Sequence, residues 1–593
     1  MEVQVSRRSR LRLSKILTRI KIYLLVMEKG NGSWKTIIPY VIISAIIFIF
    51  NIISIWGFDG LIQDDQEYYF RLFNKSIGDL TFRRNILHAI FTLEIIKIAA
   101  FTSVFFARFL IIILLSIPSA FLIYYFSHEH LKLERYTSIA ISVLPFIMPN
   151  EVLVPTYMVG SYMLLALLFA LVSIHFILSF SKRSDFSTPD FILAATAFYI
   201  ATESSELIAT MLPVFLFLIF IFRKLEAKQF ILGTLLTFIA VRKAILIINK
   251  PHGPVNSINN DLSYSEIKDR IFHFLDYINP LHGLTNIGFL NIILISIILL
   301  GAIMVIINYK RLKDILHPNR PVDNQKNKYF YIAYYYLFPL FWLVVSAAPF
   351  IFYSQYLTSR NLLLASVGLS FVFLTSINVI YSALSNRKIP LIIILFLIIS
   401  FSGYNRQMNF KTYYLSINDQ FKNLEQTLEQ YDLPPDVQVI VISNINDLKL
   451  GYGIFGRSNG VLQYILKRRD VKGQIMSEKC FYDPFLIYNK PWQYRYMDID
   501  TTANTFLFRC FDEVASQNKR LHYALRWVDE TSKSSPWSIF HFDDQGHITT
   551  LVSGKGYKDY ELTTDSLLTH GIKRDEILFG GLPDSEDRLR LGL

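Results

Sequence analysis

Eleven apolar runs, spaced by short clusters of basic residues, occupy the first 400 residues and leave few options for a fold. The runs lie at 36–56, 106–126, 136–149, 159–180, 191–202, 207–222, 230–248, 287–307, 329–352, 362–384 and 389–401. A helix needs about 20 apolar residues to cross the hydrocarbon of a bilayer. Most runs approach that length. In lipid every backbone polar group must be satisfied within its own segment, so such runs form helices. The chain is therefore expected to be an all-α polytopic membrane bundle of about eleven helices. The shortest runs, 136–149 and 191–202, also fit half-helices inside a bundle.

Composition supports this. Hydrophobic residues make up 52% of the chain and charged residues only 18%. The net charge of +12 does not point to nucleic acid, because the basic residues sit in clusters between spans and no nucleic-acid-binding motif occurs. Lys132/Arg135, Lys182/Arg183, Arg223/Lys224/Lys228, Lys310/Arg311/Lys313 and Arg387/Lys388 fall at alternate ends of the runs. By the positive-inside rule those ends are cytoplasmic, as is the basic amphipathic segment 1–35. The loops 57–105, 150–158, 203–206, 249–286 and 353–361 are then extracytoplasmic. Residues 36–403 form the membrane domain, with 57–105 as its first outer loop. Part of that loop, from Asn85 onward, reads as amphipathic helix in the interface. The N-terminal segment does not resemble a cleaved leader.

From Tyr404 the composition is that of a soluble protein. Residues 410–431 have helical spacing, Pro434-Pro435 breaks it, 437–442 is a short apolar strand and 461–466 returns to helix. Residues 404–593 are expected to be an α/β extracytoplasmic domain. It holds both cysteines, Cys480 and Cys510. An oxidising compartment favours a disulfide between them; the alternative is two unrelated buried thiols.

Three groups of residues could carry chemistry. Asp64-Asp65 lies just outside the first span, followed by Tyr68-Tyr69, aromatics suited to the interface or to stacking on a sugar. Paired carboxylates repel, so one pKa rises toward the range useful for a general base. The pair could also hold a divalent cation, or be an ordinary acidic surface loop. Glu203 and Glu206, three apart where two spans meet, could share a helix face and bind sugar hydroxyls, or form a wet turn. Tyr157 opens a span on the same side. Arg242-Lys243 interrupt the run 230–248 about two-thirds of the way outward. Charges at that depth are costly and suggest function, although snorkelling to the interface also explains Lys243.

This order, with an acidic pair after the first span, interfacial helices and a second span opening Phe106-Ala107-Arg108-Phe109, resembles the GT-C superfamily of membrane glycosyltransferases. The acidic pair is its specific motif. The segment Tyr356-Leu357-Thr358-Ser359-Arg360-Asn361-Leu362 is similar to the Arg-Tyr-Leu head of a late span in such enzymes, with Asn361 where tyrosine is usual. The resemblance implies transfer of a sugar from a polyprenyl-phosphate donor to a glycan, lipid or protein acceptor, with inversion. It implies Asp64 as base, Asp65 as its companion and Arg360 on the donor phosphate, beside Arg242 or Lys243. Some members use a metal; no second set of ligands stands out here. The Ile-, Phe- and Lys-rich usage suggests a bacterium with an AT-rich genome, and the expected location is its inner membrane, with the active site and C-terminal domain outside the cytoplasm. Rival classes are a transporter or flippase for a lipid-linked substrate, a polysaccharide polymerase or ligase, and a scaffold. A transporter would line a midplane path with charges and repeat its halves, whereas these charges gather at the outer face.

Overall fold

The computed structural model describes residues 34–56, 86–131, 133–148, 158–183, 185–221, 226–248, 264–280, 289–307, 337–352, 362–384, 397–405, 408, 425–426, 428–443, 462–463, 466–468, 470–477, 480–482, 508–510, 536–542 and 548–555. The helices are α1 (Trp34–Ile55), α2 (Ile86–Phe101), α3 (Val104–His130), α4 (Arg135–Ile147), α5 (Tyr162–Lys182), α6 (Thr188–Ser204), α7 (Leu207–Thr210) and α8 (Leu212–Ile221). They continue as α9 (Ala227–Ile248), α10 (Tyr264–Ile278), α11 (Phe289–Ile307), α12 (Phe338–Phe352) and α13 (Leu363–Leu384). Residues 397–405 are also helical. Among the described residues, four helices are long and apolar enough to cross a membrane: Val104–His130, Tyr162–Ser181, Ala227–Leu246 and Leu363–Ile380. The molecule is a helical membrane protein.

Several elements differ from the sequence reading. The run 191–202 belongs to a 17-residue helix, because Thr188-Pro189-Asp190 opens α6 a turn earlier. Pro in the first helical turn is pre-organised for it, since its missing N–H would lack a partner there. The run 207–222 is broken at Met211, ahead of Pro213, into α7 and α8. The helix α3 runs past its predicted end and contains two π-helical stretches, Ile112–Ser116 and Phe126–His130. Part of the supposed polar loop 249–286 is the helix α10.

Helix α13 sits at the centre, packed by α12, α11, α4 and α5. Small residues let its neighbours close in. A Cβ added at Gly368 would come within 2.8 Å of the Leu343 backbone nitrogen on α12, and one at Gly301 on α11 within 2.5 Å of Ser376 Cβ. Close backbone approach of this kind supplies the dispersion contacts that hold helices together in lipid, where apolar burial alone gives little. Helix α9 lies at the periphery against α6, α7 and α8, with Phe230, Ile231, Phe238, Val241 and Ile245 exposed along its outer side.

Beyond residue 430 the described strands are β1 (Gln438–Ser443), β2 (Lys472–Ser477), β3 (Cys480–Tyr482), β4 (Phe508–Cys510), β5 (Pro536–Phe542) and β6 (Ile548–Lys555). One sheet has the order β2-β1-β5-β6, parallel at β2-β1 and β1-β5 and antiparallel at β5-β6. The predicted strand 437–442 is β1, buried through Val439 and Val441 and central in that sheet. Its parallel neighbour β2 requires a crossover, and helical residues 462–463 lie within it. Arg468 donates to the carbonyls of Leu433 (2.7 Å) and Pro434 (2.9 Å) and pairs with Asp470, joining the turn before β1 to the start of β2. The Arg468 guanidinium holds the Asp470 carboxyl at about 2, well below its ordinary value. The predicted helix over 410–431 falls largely outside the described residues.

Candidate functional site

The charged residues that the structure gathers lie at the end of α6 and on α9. Glu203 is in the last turn of α6, and the helix stops at Ser205, which is extended at φ −146°, ψ 130°. The expectation that Glu203 and Glu206 share a helix face is therefore corrected: Glu206, half-buried, follows the break and leads into α7.

Arg242 and Lys243 reach Glu203 across the α6–α9 contact. Lys243 Nζ donates to Glu203 Oε2 at 3.0 Å, and Arg242 Nη1 donates to Oε1 at 3.1 Å. The side chains are 1% exposed for Lys243, 8% for Glu203 and 45% for Arg242. Lys243 does not snorkel. Its position on α9 points it into the helix contact, where a buried ammonium needs a carboxylate to offset its lost hydration. Arg242, one residue earlier and so about 100° round the helix, lies at the edge of the contact. Its guanidinium sits over the Tyr199 ring, 5.6 Å from the centroid. Tyr199 is one turn before Glu203 on α6, and the cation over its face adds cation–π attraction. The C-terminal end of α6 carries partial negative charge from its free carbonyls, which favours both cations.

Chemically, the arrangement is a carboxylate bridging a buried ammonium and a guanidinium that is half open to the surroundings. A guanidinium has five N–H donors in a planar fork that matches phosphate or carboxylate oxygens. Glu203 takes one of them, and the Arg242 side chain remains 45% exposed. Glu203 is consumed by these two cations, so its expected work on sugar hydroxyls would require the pairs to loosen.

At the other end of the same helices a second ionic cluster closes the turn from α5 to α6. Arg183 Nε lies 3.2 Å from Asp190 Oδ2, Ser179 donates to the same oxygen at 3.2 Å, and Lys228 pairs with Glu226 at 3.1 Å. Lys228 also donates to the carbonyl of Arg183, which ties the start of α9 to the turn between α5 and α6.

Asp64, Asp65, Tyr68, Tyr157 and Arg360 lie outside the described residues, so the structure unites Glu203, Arg242 and Lys243 and leaves those five unplaced. Two further residues are placed by the structure, and of these Tyr199 lies against the cluster, under Arg242. Tyr199 was legible only as the residue one turn before Glu203. Arg108, quoted as part of a span opening, is fully buried in α3. Its place within an apolar run was the available signal. No group of three or more metal-ligating side chains occurs among the described residues. Cys480 and Cys510 are directly opposed in the antiparallel pair β3–β4.

No family model matches the chain, and no curated protein matches it. Among solved structures the chain is similar to the Archaeoglobus fulgidus oligosaccharyltransferase tethered through a disulfide bond to an acceptor peptide containing the NVT sequon. The TM-score is 0.36 at 11% identity, over 86% of this chain and 74% of that one.

Proposed function

We propose that the chain is a membrane glycosyltransferase that moves a sugar from a polyprenyl-phosphate donor to a glycan, lipid or protein acceptor, with inversion. The observation that supports it is the Glu203–Arg242–Lys243 cluster, with a half-exposed guanidinium at the edge of the α6–α9 contact. A lipid phosphate diffusing in the bilayer would meet Arg242 laterally, without entering water. Arg242 and Arg360 bind the donor phosphate, and Lys243 holds Glu203, and through it Arg242, in place. Asp64, tuned by Asp65, takes the proton from the acceptor hydroxyl. The freed oxygen attacks the anomeric carbon, the bond from that carbon to the phosphate oxygen breaks, and polyprenyl phosphate leaves as its charge is stabilised by the cations. Tyr68 and Tyr157 flank the sugar. A divalent cation is not required by this scheme. In this reading eleven spans cross the bacterial inner membrane, and residues 404–593 form an α/β domain outside it that covers the site or holds the acceptor.

The test is to supply the purified protein in nanodiscs with a panel of polyprenyl-phosphate sugars and measure release of polyprenyl phosphate. Asp64→Asn should lower the rate by about 10²–10⁴-fold while donor binding persists. Arg242→Ala should chiefly raise KM, because it removes a contact made to ground state and transition state alike. Donor translocation across the bilayer without cleavage would establish the flippase reading instead.

The thiols are proposed to be bonded. Opposed residues in an antiparallel pair have Cα atoms about 4.5–5.5 Å apart, within the span of a disulfide. Mass spectrometry after alkylation without reductant should recover Cys480 and Cys510 in one linked pair of peptides; two alkylated thiols would refute the bond.

A further inference from the structure

We infer that α10 lies along the lipid–water interface, with one face on the bundle and a second in the headgroup and upper acyl region of one leaflet. The inference is independent of any catalytic role. Helix α10 is tied to the ends of two membrane helices. Arg270 Nη1 donates to the carbonyl of Ile351, one residue from the end of α12, at 3.1 Å. Asn279, just past α10, donates to Asn291 Oδ1, near the start of α11, at 2.9 Å within a buried contact. Phe274 stacks on Phe350 at 6.2 Å between centroids, and Ile278 is buried. A helix pinned where α12 ends and α11 begins sits at the level where the apolar belt stops.

At 3.6 residues per turn its side chains fall on separate faces. Ile267, Arg270, Phe274 and Ile278 recur every three or four residues and form the face toward α12, α11 and α13. A second stripe is Tyr264, Lys268, Ile271 and Phe272, and all four side chains are exposed. Exposed Ile and Phe side by side would be an unfavourable aqueous surface. In the interface, the two apolar side chains enter the acyl boundary, Tyr264 lies at headgroup level and the Lys268 ammonium reaches lipid phosphates. Continuity supports lipid as the occupant: Ile292, adjacent to the Asn291 anchor, is exposed, and Leu299, Leu300 and Ile303 extend the exposed side of α11 toward the opposite leaflet.

The experiment places the photo-crosslinking residue p-benzoylphenylalanine singly at Phe272, at Ile271 and, as a buried control, at Phe274, in the full chain in phospholipid nanodiscs. After irradiation, intact-mass analysis should show phospholipid adducts at 272 and 271 and none above background at 274. Adducts only to the chain itself, which would mean that another segment covers this stripe, would overturn the inference. So would an absence of lipid adducts at both 271 and 272 in protein that elutes as a folded monodisperse species. Positions 271 and 272 are exposed, so two variants keep the test open should one fail to fold.

Discussion

Helices α13 and α9 are both membrane helices that carry polar residues, and they satisfy those residues in opposite ways. In α13 three serine hydroxyls turn back on their own helix: Ser366 on Leu362 (3.1 Å), Ser370 on Ser366 (2.7 Å) and Ser376 on Val372 (2.7 Å), each to a carbonyl four residues earlier. The polarity is neutral and local, and the small side chains chiefly let α11 and α12 approach. In α9 Thr237 turns back in the same way on Gly233 (2.8 Å), but the charged pair near its far end finds its partner on another helix, with Arg242 Nη1 at 3.1 Å and Lys243 Nζ at 3.0 Å from Glu203. Such an arrangement fixes two helices relative to each other and places a cation where a ligand can reach it. Polarity satisfied within one helix serves packing. Polarity satisfied between helices, with one member left half-exposed, offers a contact that a ligand can use.

The largest effect expected from this contrast is at Glu203. Glu203→Gln leaves the Lys243 ammonium buried without its counter-charge, and breaking a buried pair from one side costs about 3–5 kcal/mol. Thermal unfolding in detergent should show a clear loss of stability. Lys243→Met added to Glu203→Gln should recover most of it, because it removes the stranded charge and fills its space. If Glu203→Gln unfolds like the parent, the pair is not a stabilising contact of the folded protein, and the contrast with α13 collapses.

How much of this the sequence carried depends on the range of the interaction. The membrane helices were legible because each is a local run of apolar residues, and hydropathy reports such runs directly. Helix α10 was not, since Glu266, Lys268, Asp269 and Arg270 break up its apolar positions, and only the tertiary anchors at Ile351 and Asn291 turn the pattern into a placed helix. Glu203, Arg242 and Lys243 could each be singled out as charges in apolar surroundings. That they meet could not be read, because they are about 40 residues apart in sequence and no local rule pairs α6 with α9. The break at Ser205 was equally hidden: a three-residue spacing suggests one helix face only if the helix continues. In the C-terminal region the apolar strand β1 was plain, whereas its parallel partners β2 and β5, distant in the chain, had no local signal. The acidic pair Asp64-Asp65 is carried by motif alone.

The smaller effects lie in α13 and sharpen the contrast from its other side. Gly368→Ala adds one methyl where the backbone of α12 is already close, with the Leu343 nitrogen 2.8 Å from the new carbon. Backbone cannot move aside as a flexible side chain does, so α12 and α13 must separate, at a cost of about 1–3 kcal/mol. Ser370→Ala, two residues along the same helix, removes a buried hydroxyl but strands no donor. The Ser366 carbonyl keeps its place in the helical hydrogen-bond ladder, and a back-bonded serine slightly weakens a helix in any case. The expected change is below about 1 kcal/mol. Measured side by side by thermal unfolding, Gly368→Ala should exceed Ser370→Ala, and neither should reach the loss at Glu203. A Ser370→Ala loss as large as that of Glu203→Gln would mean that α13 relies on its hydroxyls as α9 relies on its charges. The two helices would then differ in charge but not in how their polarity is used, and the half-exposed Arg242 would lose its claim to be a site set apart from ordinary packing.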